Sequence, residues 1–182
     1  GLGCDNWPRC GDRPYPEKGY HAFIEFGNRM VALIGIILTL VCWLYARHTR
    51  GLSQQGRRAA FGAFLGAFGQ IPLGGITVIL KLHPLAVMSH FILSLFVVAC
   101  SVIALIEAWS LIAGRGDAIG PAWWRWLVTS GVAVCTVLLV TGAVATAAGP
   151  HSGGEDIRRL GIPVTDAVYV HVRATAVFGI GL

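Results

Sequence analysis

An all-α, polytopic transmembrane helix bundle is the fold class this sequence predicts, on three observations. Of its 182 residues, 55% are hydrophobic and 13% charged, and the mean hydropathy is +0.67. Soluble domains carry about 25% charge. The apolar residues gather in runs as long as a bilayer needs, about 20 residues of helix for a hydrocarbon core of about 30 Å. Between the runs the arginines collect in alternate loops, as they do when loops alternate between the two sides of a membrane. The net charge of +5 is therefore read loop by loop, as topology. Aromatic residues lie within apolar runs or at their edges and do not alternate with basic ones, so nucleic-acid binding is set aside.

Four full spans and one partial span follow. The first runs roughly from His21 to Ala46. The second runs from Ala59 to Leu80, and the turn K-L-H-P separates it from the third, Leu85 to Ala113. After G-R-G-D-A-I-G-P comes the fourth, Trp123 to Ala147. The fifth starts near Asp166 and is still apolar at Leu182. The chain opens in a polar loop without a signal-peptide pattern and closes inside an apolar run, so both ends read as cut from a longer protein.

Orientation follows from the basic residues. The loop R-H-T-R-G-L-S-Q-Q-G-R-R holds four arginines and no acid, which places it in the cytoplasm. The K-L-H-P turn then lies outside and the loop with Arg115 and Arg125 inside. Outside again are the stretch from Gly149 to Asp166, which carries His151, and the N-terminal loop. Trp123, Trp124 and Trp126 fit an aromatic belt at the inner interface. The N-terminal loop holds Cys4 and Cys10, and an oxidising outer compartment suits a disulfide there. A zinc site is the alternative, and it lacks a second pair of ligands nearby. Cys42, Cys100 and Cys135 lie in apolar runs and read as packing thiols.

Polar residues inside spans are the candidates for chemistry, because lipid makes each one costly. Glu25 and Asn28, in F-I-E-F-G-N-R-M, lie at i and i+3 on one helical face near an outer end. Glu25 either serves a site or pairs with Arg29 at i+4 as an interface anchor. His90 sits one to two turns into the third span and His171 at similar depth in the fifth. A neutral imidazole in lipid needs a partner, and haem iron is one that leaves it satisfied; a structural histidine is the alternative for each. Arg173 either pairs with a haem propionate or snorkels to the interface. In G-Q-I-P-L-G-G-I-T-V, Pro72 and the pair Gly74-Gly75 predict a kink and close approach by a neighbouring backbone or a flat ligand, or ordinary glycine packing. His48 reads as a loop residue without a role. His21, His83 and His151 stay open. Cys4 precedes Asn28 by 24 residues and His151 precedes His171 by 20, a weak hint of an internal repeat.

Four stretches together resemble the haem A synthase family. They are G-L-G-C-D-N-W-P-R-C, E-F-G-N-R-M, G-Q-I-P-L-G-G-I-T-V-I-L-K-L-H-P-L-A-V-M-S-H-F and T-G-A-V-A-T-A-A-G-P-H-S-G-G, and the resemblance runs over essentially the whole chain. It implies a fragment of an eight-helix protein made of two pseudo-symmetric four-helix halves. Residues 1–20 would be an outer loop with the cysteine pair, and 21–113 an N-terminal half lacking its first helix. Residues 114–122 would be a cytoplasmic linker and 123–182 the start of the C-terminal half. The implied activity is oxidation of the C8 methyl of haem O to a formyl group, giving haem A for terminal oxidases by two hydroxylations and loss of water from a geminal diol. Glu25 matches the essential carboxylate, His90 the histidine of the substrate half, and His171 a ligand of a haem b. Cys4 and Cys10 match a pair thought to form a disulfide. Haem O as substrate, a haem O synthase and an unidentified electron donor are the implied partners, in the cell membrane. Asn28 stands where the family usually has a histidine, and asparagine is not a haem iron ligand. A non-enzymatic b-type cytochrome or haem-handling protein is the runner-up, and a transporter a weaker third reading.

Overall fold

The computed structural model describes residues 7, 15, 19–114, 121–150 and 158–181. They form five helices in chain order, α1 (Tyr20–His48), α2 (Gln54–Ile79), α3 (Pro84–Ala113), α4 (Ala122–Ala148) and α5 (Val164–Gly181), and among the described residues there is no strand. The first four are long and apolar enough to cross a membrane. The chain is thus an all-helical, multi-pass membrane protein.

Hydropathy placed the helix ends to within two residues except at the start of α2. That helix begins at Gln54, five residues before Ala59, and so takes in the polar stretch Q-Q-G-R-R. The cause is a cap. Ser53 has extended backbone angles and its Oγ accepts from Gly56 N–H at 2.9 Å, satisfying a donor that a helix start leaves without a partner. The same hydroxyl donates to the Glu107 carboxylate on α3. Ser53→Ala removes both bonds. It is expected to lower the unfolding free energy of the full-length protein by about 2 kcal/mol, read by denaturant titration in mixed micelles.

The described residues divide into two compact units, Gly1–Leu82 with Ser89–Arg115, and His83–Met88 with Gly116–Leu182. In the first unit α2 packs on α1 and on α3. Its buried face is made of small residues: Gly56, Ala59, Ala60, Ala63, Gly66 and Gly75. A Cβ placed on Gly56, Gly62 or Gly66 would lie 2.8, 3.0 or 2.7 Å from Glu107, Cys100 or Val97 respectively. As α2 numbers rise, their α3 partners fall, so the two helices run antiparallel in one register. This is packing by close backbone approach, the form that works in lipid, where burying large apolar groups gains little. Among the described residues the buried apolar ones are correspondingly alanines and Cys100, while many leucines, isoleucines and valines stand outward. At the far end of α1 the Trp43 ring stacks on Phe64 at 5.4 Å, and the Arg47 guanidinium stands over the same Trp43 ring, 5.6 Å from its centroid.

Between α2 and α3 the chain turns through Lys81 and Leu82, both in the left-handed region at φ 48° and 59°. Leu82 N–H donates back to Thr77 O at 2.8 Å, closing the end of α2. His83 then starts α3: its carbonyl accepts from Ala86 and Val87 N–H, and its Nδ1 accepts from Leu85 N–H at 3.3 Å. In the second unit α4 packs on α5, with Ala147 and Ala167 buried and Leu160 N–H bonded to Ala147 O at 3.3 Å.

Candidate functional site

His90 lies six residues into α3, about 9 Å along the helix axis. Its ring faces α2 at Gly74, where an added Cβ would stand 3.4 Å from Cε1. One turn earlier on α2, Gln70 grips the backbone of the same residue. Its Nε2 donates to His90 O at 3.1 Å and to Ser94 Oγ at 2.7 Å, and Ser94 Oγ donates to His90 O at 2.9 Å. Two buried side-chain atoms in this cluster have no hydrogen-bond partner among the described residues, Gln70 Oε1 and His90 Nδ1. The stretch Pro72 to Gly75 remains within one continuous helix, and its two glycines face two rings: His90 at Gly74, and the Trp7 indole at Gly75, 2.9 Å from an added Cβ.

Glu25 lies five residues into α1, a depth like that of His90 on its own helix. Arg29 Nη2 donates to Glu25 Oε1 at 2.6 Å, and the two side chains are only 21% and 19% exposed. Asn28, on the same helix, is exposed.

His171 lies seven residues into α5. Thr141 Oγ1 is 3.0 Å from its Nδ1, and the ring faces Gly142 of α4, an added Cβ standing 3.2 Å from Cε1. The Thr141 hydroxyl has one proton, and Val137 O at 2.9 Å and Leu138 O at 3.1 Å already receive it. With that proton on either carbonyl, the Thr141 oxygen is an acceptor for His171 Nδ1–H, the tautomer that leaves the lone pair on Nε2. Arg173 stands over the Tyr169 ring at 4.1 Å, a cation–π contact within α5.

The two membrane histidines thus share an arrangement, each ring set against a glycine of the preceding helix with a polar side chain of that helix beside it. The sequence reading singled out both histidines but not Ser94, Thr141 or Glu107, whose partners lie far away in sequence. Cys4, Cys10 and His151 lie outside the described residues. Among the described residues Cys100 is buried, Cys42 and Cys135 are exposed, and no cluster of three metal-ligating side chains occurs. His21 and His48 are exposed.

A stretch of 118 residues is 30% identical to a heme A synthase of Symbiobacterium thermophilum, covering 64% of this chain and 37% of that protein. The chain thus spans little more than a third of the relative it matches. No family model matches, and no solved structure matches. The resemblance to the haem A synthase family drawn from the sequence stands at this level, and over those 118 residues this membrane chain is similar to a heme A synthase.

Proposed function

We propose that this chain belongs to a membrane enzyme that oxidises the C8 methyl of haem O to a formyl group, yielding haem A. The observation that carries the proposal is the paired setting of His90 and His171, together with the similarity to a heme A synthase. Both imidazoles fit an axial haem ligand. Each sits in an apolar span with its ring against a glycine, and neither Nε2 makes a hydrogen bond among the described residues. When bound, haem supplies the redox-active iron.

In this reading His90 holds the substrate haem O and His171 a haem b. Glu25 would hold or move a proton beside the substrate, with Arg29 fixing one of its oxygens. Asn28 is not an iron ligand, so of the residues matched in this half His90 alone would hold the substrate haem. Arg173, held over Tyr169, pairs with a haem propionate near the outer surface. Cys4 and Cys10 form a disulfide in the outer loop, and both that loop and His151 face outward.

The test is to express the full-length protein with a haem O synthase in a host that makes no haem A, and to separate the membrane haems by chromatography with mass detection. Haem A or a hydroxylated haem O supports the enzyme. Only haem B and haem O, from a folded and haem-loaded protein, assigns the chain to the b-type cytochromes instead. The histidine setting gives a second expectation. Thr141→Val keeps the shape but removes the acceptor for His171 Nδ1–H, and is expected to weaken haem b binding by about 10-fold to 100-fold, read by haem transfer to apomyoglobin.

A further inference from the structure

We infer that Gln70 is the positioning residue of His90: its Oε1 accepts from His90 Nδ1–H and so directs the Nε2 lone pair toward iron. The inference rests on the haem reading for its consequence, but on this chain's own hydrogen bonds for its substance.

Two buried atoms here lack a partner, and they are complementary. An imidazole that ligates through Nε2 must carry its proton on Nδ1, which makes Nδ1 a donor. Gln70 Oε1 can only accept. Each orphan costs about 1–3 kcal/mol when left unsatisfied in an apolar span. They belong to two residues already joined, since Gln70 Nε2 donates to His90 O at 3.1 Å. The amide cannot turn over to serve otherwise. Nε2 is committed twice, to His90 O and to Ser94 Oγ at 2.7 Å, and both are acceptors in this geometry because Ser94 spends its own proton on His90 O. The amide orientation is thereby set, and Oε1 is the acceptor left over beside the same helical turn. A single pairing, which is not made in this arrangement and which a turn of the His90 ring toward the amide would make, satisfies both atoms.

The second unit shows the completed form. There His171 Nδ1 already meets a hydroxyl on the preceding helix that can accept from it, Thr141 Oγ1 at 3.0 Å, and its ring lies on Gly142. In the first unit the ring lies on Gly74 and Gln70 occupies the preceding turn of α2. One acceptor is a hydroxyl and the other an amide oxygen, but both fix the tautomer from the neighbouring helix. Such outer partners orient a ligating histidine and raise its basicity, and losing one costs about 10-fold to 100-fold in affinity.

The experiment compares full-length, haem-loaded wild type with Gln70→Leu, Gln70→Glu, Ser94→Ala and His90→Ala. The readouts are the ferrous iron–histidine stretching band and the rate of haem transfer to apomyoglobin. In Gln70→Leu the His90-dependent band is expected to move to lower frequency, because the imidazole becomes a weaker donor, and haem loss to speed up by about 10-fold to 100-fold. Gln70→Glu keeps an acceptor oxygen at the same reach and moves neither readout that way. Ser94→Ala loosens the grip on the helix while sparing Oε1, and leaves the band in place. A band and a transfer rate unchanged in Gln70→Leu, or changed equally in Ser94→Ala, overturn the role of Gln70 and leave the haem reading standing. Haem binding indifferent to His90→Ala overturns the haem reading itself.

Discussion

Glu25→Gln in the full-length protein is expected to lower haem A formation by about 100-fold to 10,000-fold with haem content unchanged, the range set by losing a positioned proton carrier. Glutamine keeps the length and one carbonyl oxygen for Arg29, so the loss reads proton transfer more than shape. The 2.6 Å contact between Glu25 and Arg29 allows a rival explanation, that the pair only anchors α1. Arg29→Gln separates the two. An anchor loses as much from either change, whereas a proton carrier tolerates the loss of Arg29 far better than its own. Haem A formation in Glu25→Gln within a few-fold of wild type removes the catalytic role.

Gly66→Val is the most damaging packing change on α2. Its Cβ would lie 2.7 Å from Val97 Cγ2 and 3.3 Å from Phe96 Cδ1. Val97 cannot rotate away, because a valine in a helix has one strongly preferred rotamer. The helices must part instead. An expected loss of about 2 kcal/mol follows, from overpacking, against which the helix propensity regained from glycine offsets only part. Gly35→Ala in α1 is the control, since nothing among the described residues lies within 4 Å of an added Cβ there. It is expected to gain up to about 1 kcal/mol. The opposite signs, read by unfolding in mixed micelles, test whether close approach or mere helicity governs each glycine.

Much of the architecture was legible in the residue order because a bilayer imposes length and polarity on every span. Pro84 and the two tryptophans at 123 and 124 mark the starts of α3 and α4 within one or two residues. The start of α2 was missed because hydropathy is blind to polar residues that are nonetheless helical. Ser53, three residues before Gly56, carried the signal as a cap. The histidines were visible as polar atoms in apolar runs. Their partners were not: Thr141 is 30 residues from His171, Ser94 is 24 from Gln70, and Glu107 is 54 from Ser53. Such pairs depend on the register of one helix against another, which no local pattern encodes. Arg173 over Tyr169 is the contrary case, a contact at i+4 readable from spacing alone.

The tight turn at Lys81 and Leu82 bears on how the protein reaches its membrane. It leaves α2 and α3 almost no connecting chain, a connection short enough for the two spans to enter the membrane as one hairpin. A lone α2 would bring the Gln70 amide bare into lipid, and a lone α3 would bring the His90 imidazole, each a several-kcal/mol burden. Entering together, they already hold the bonds from Gln70 to His90 and Ser94. Each of these polar groups would thus be shielded during insertion by the helix it bonds to in the folded protein.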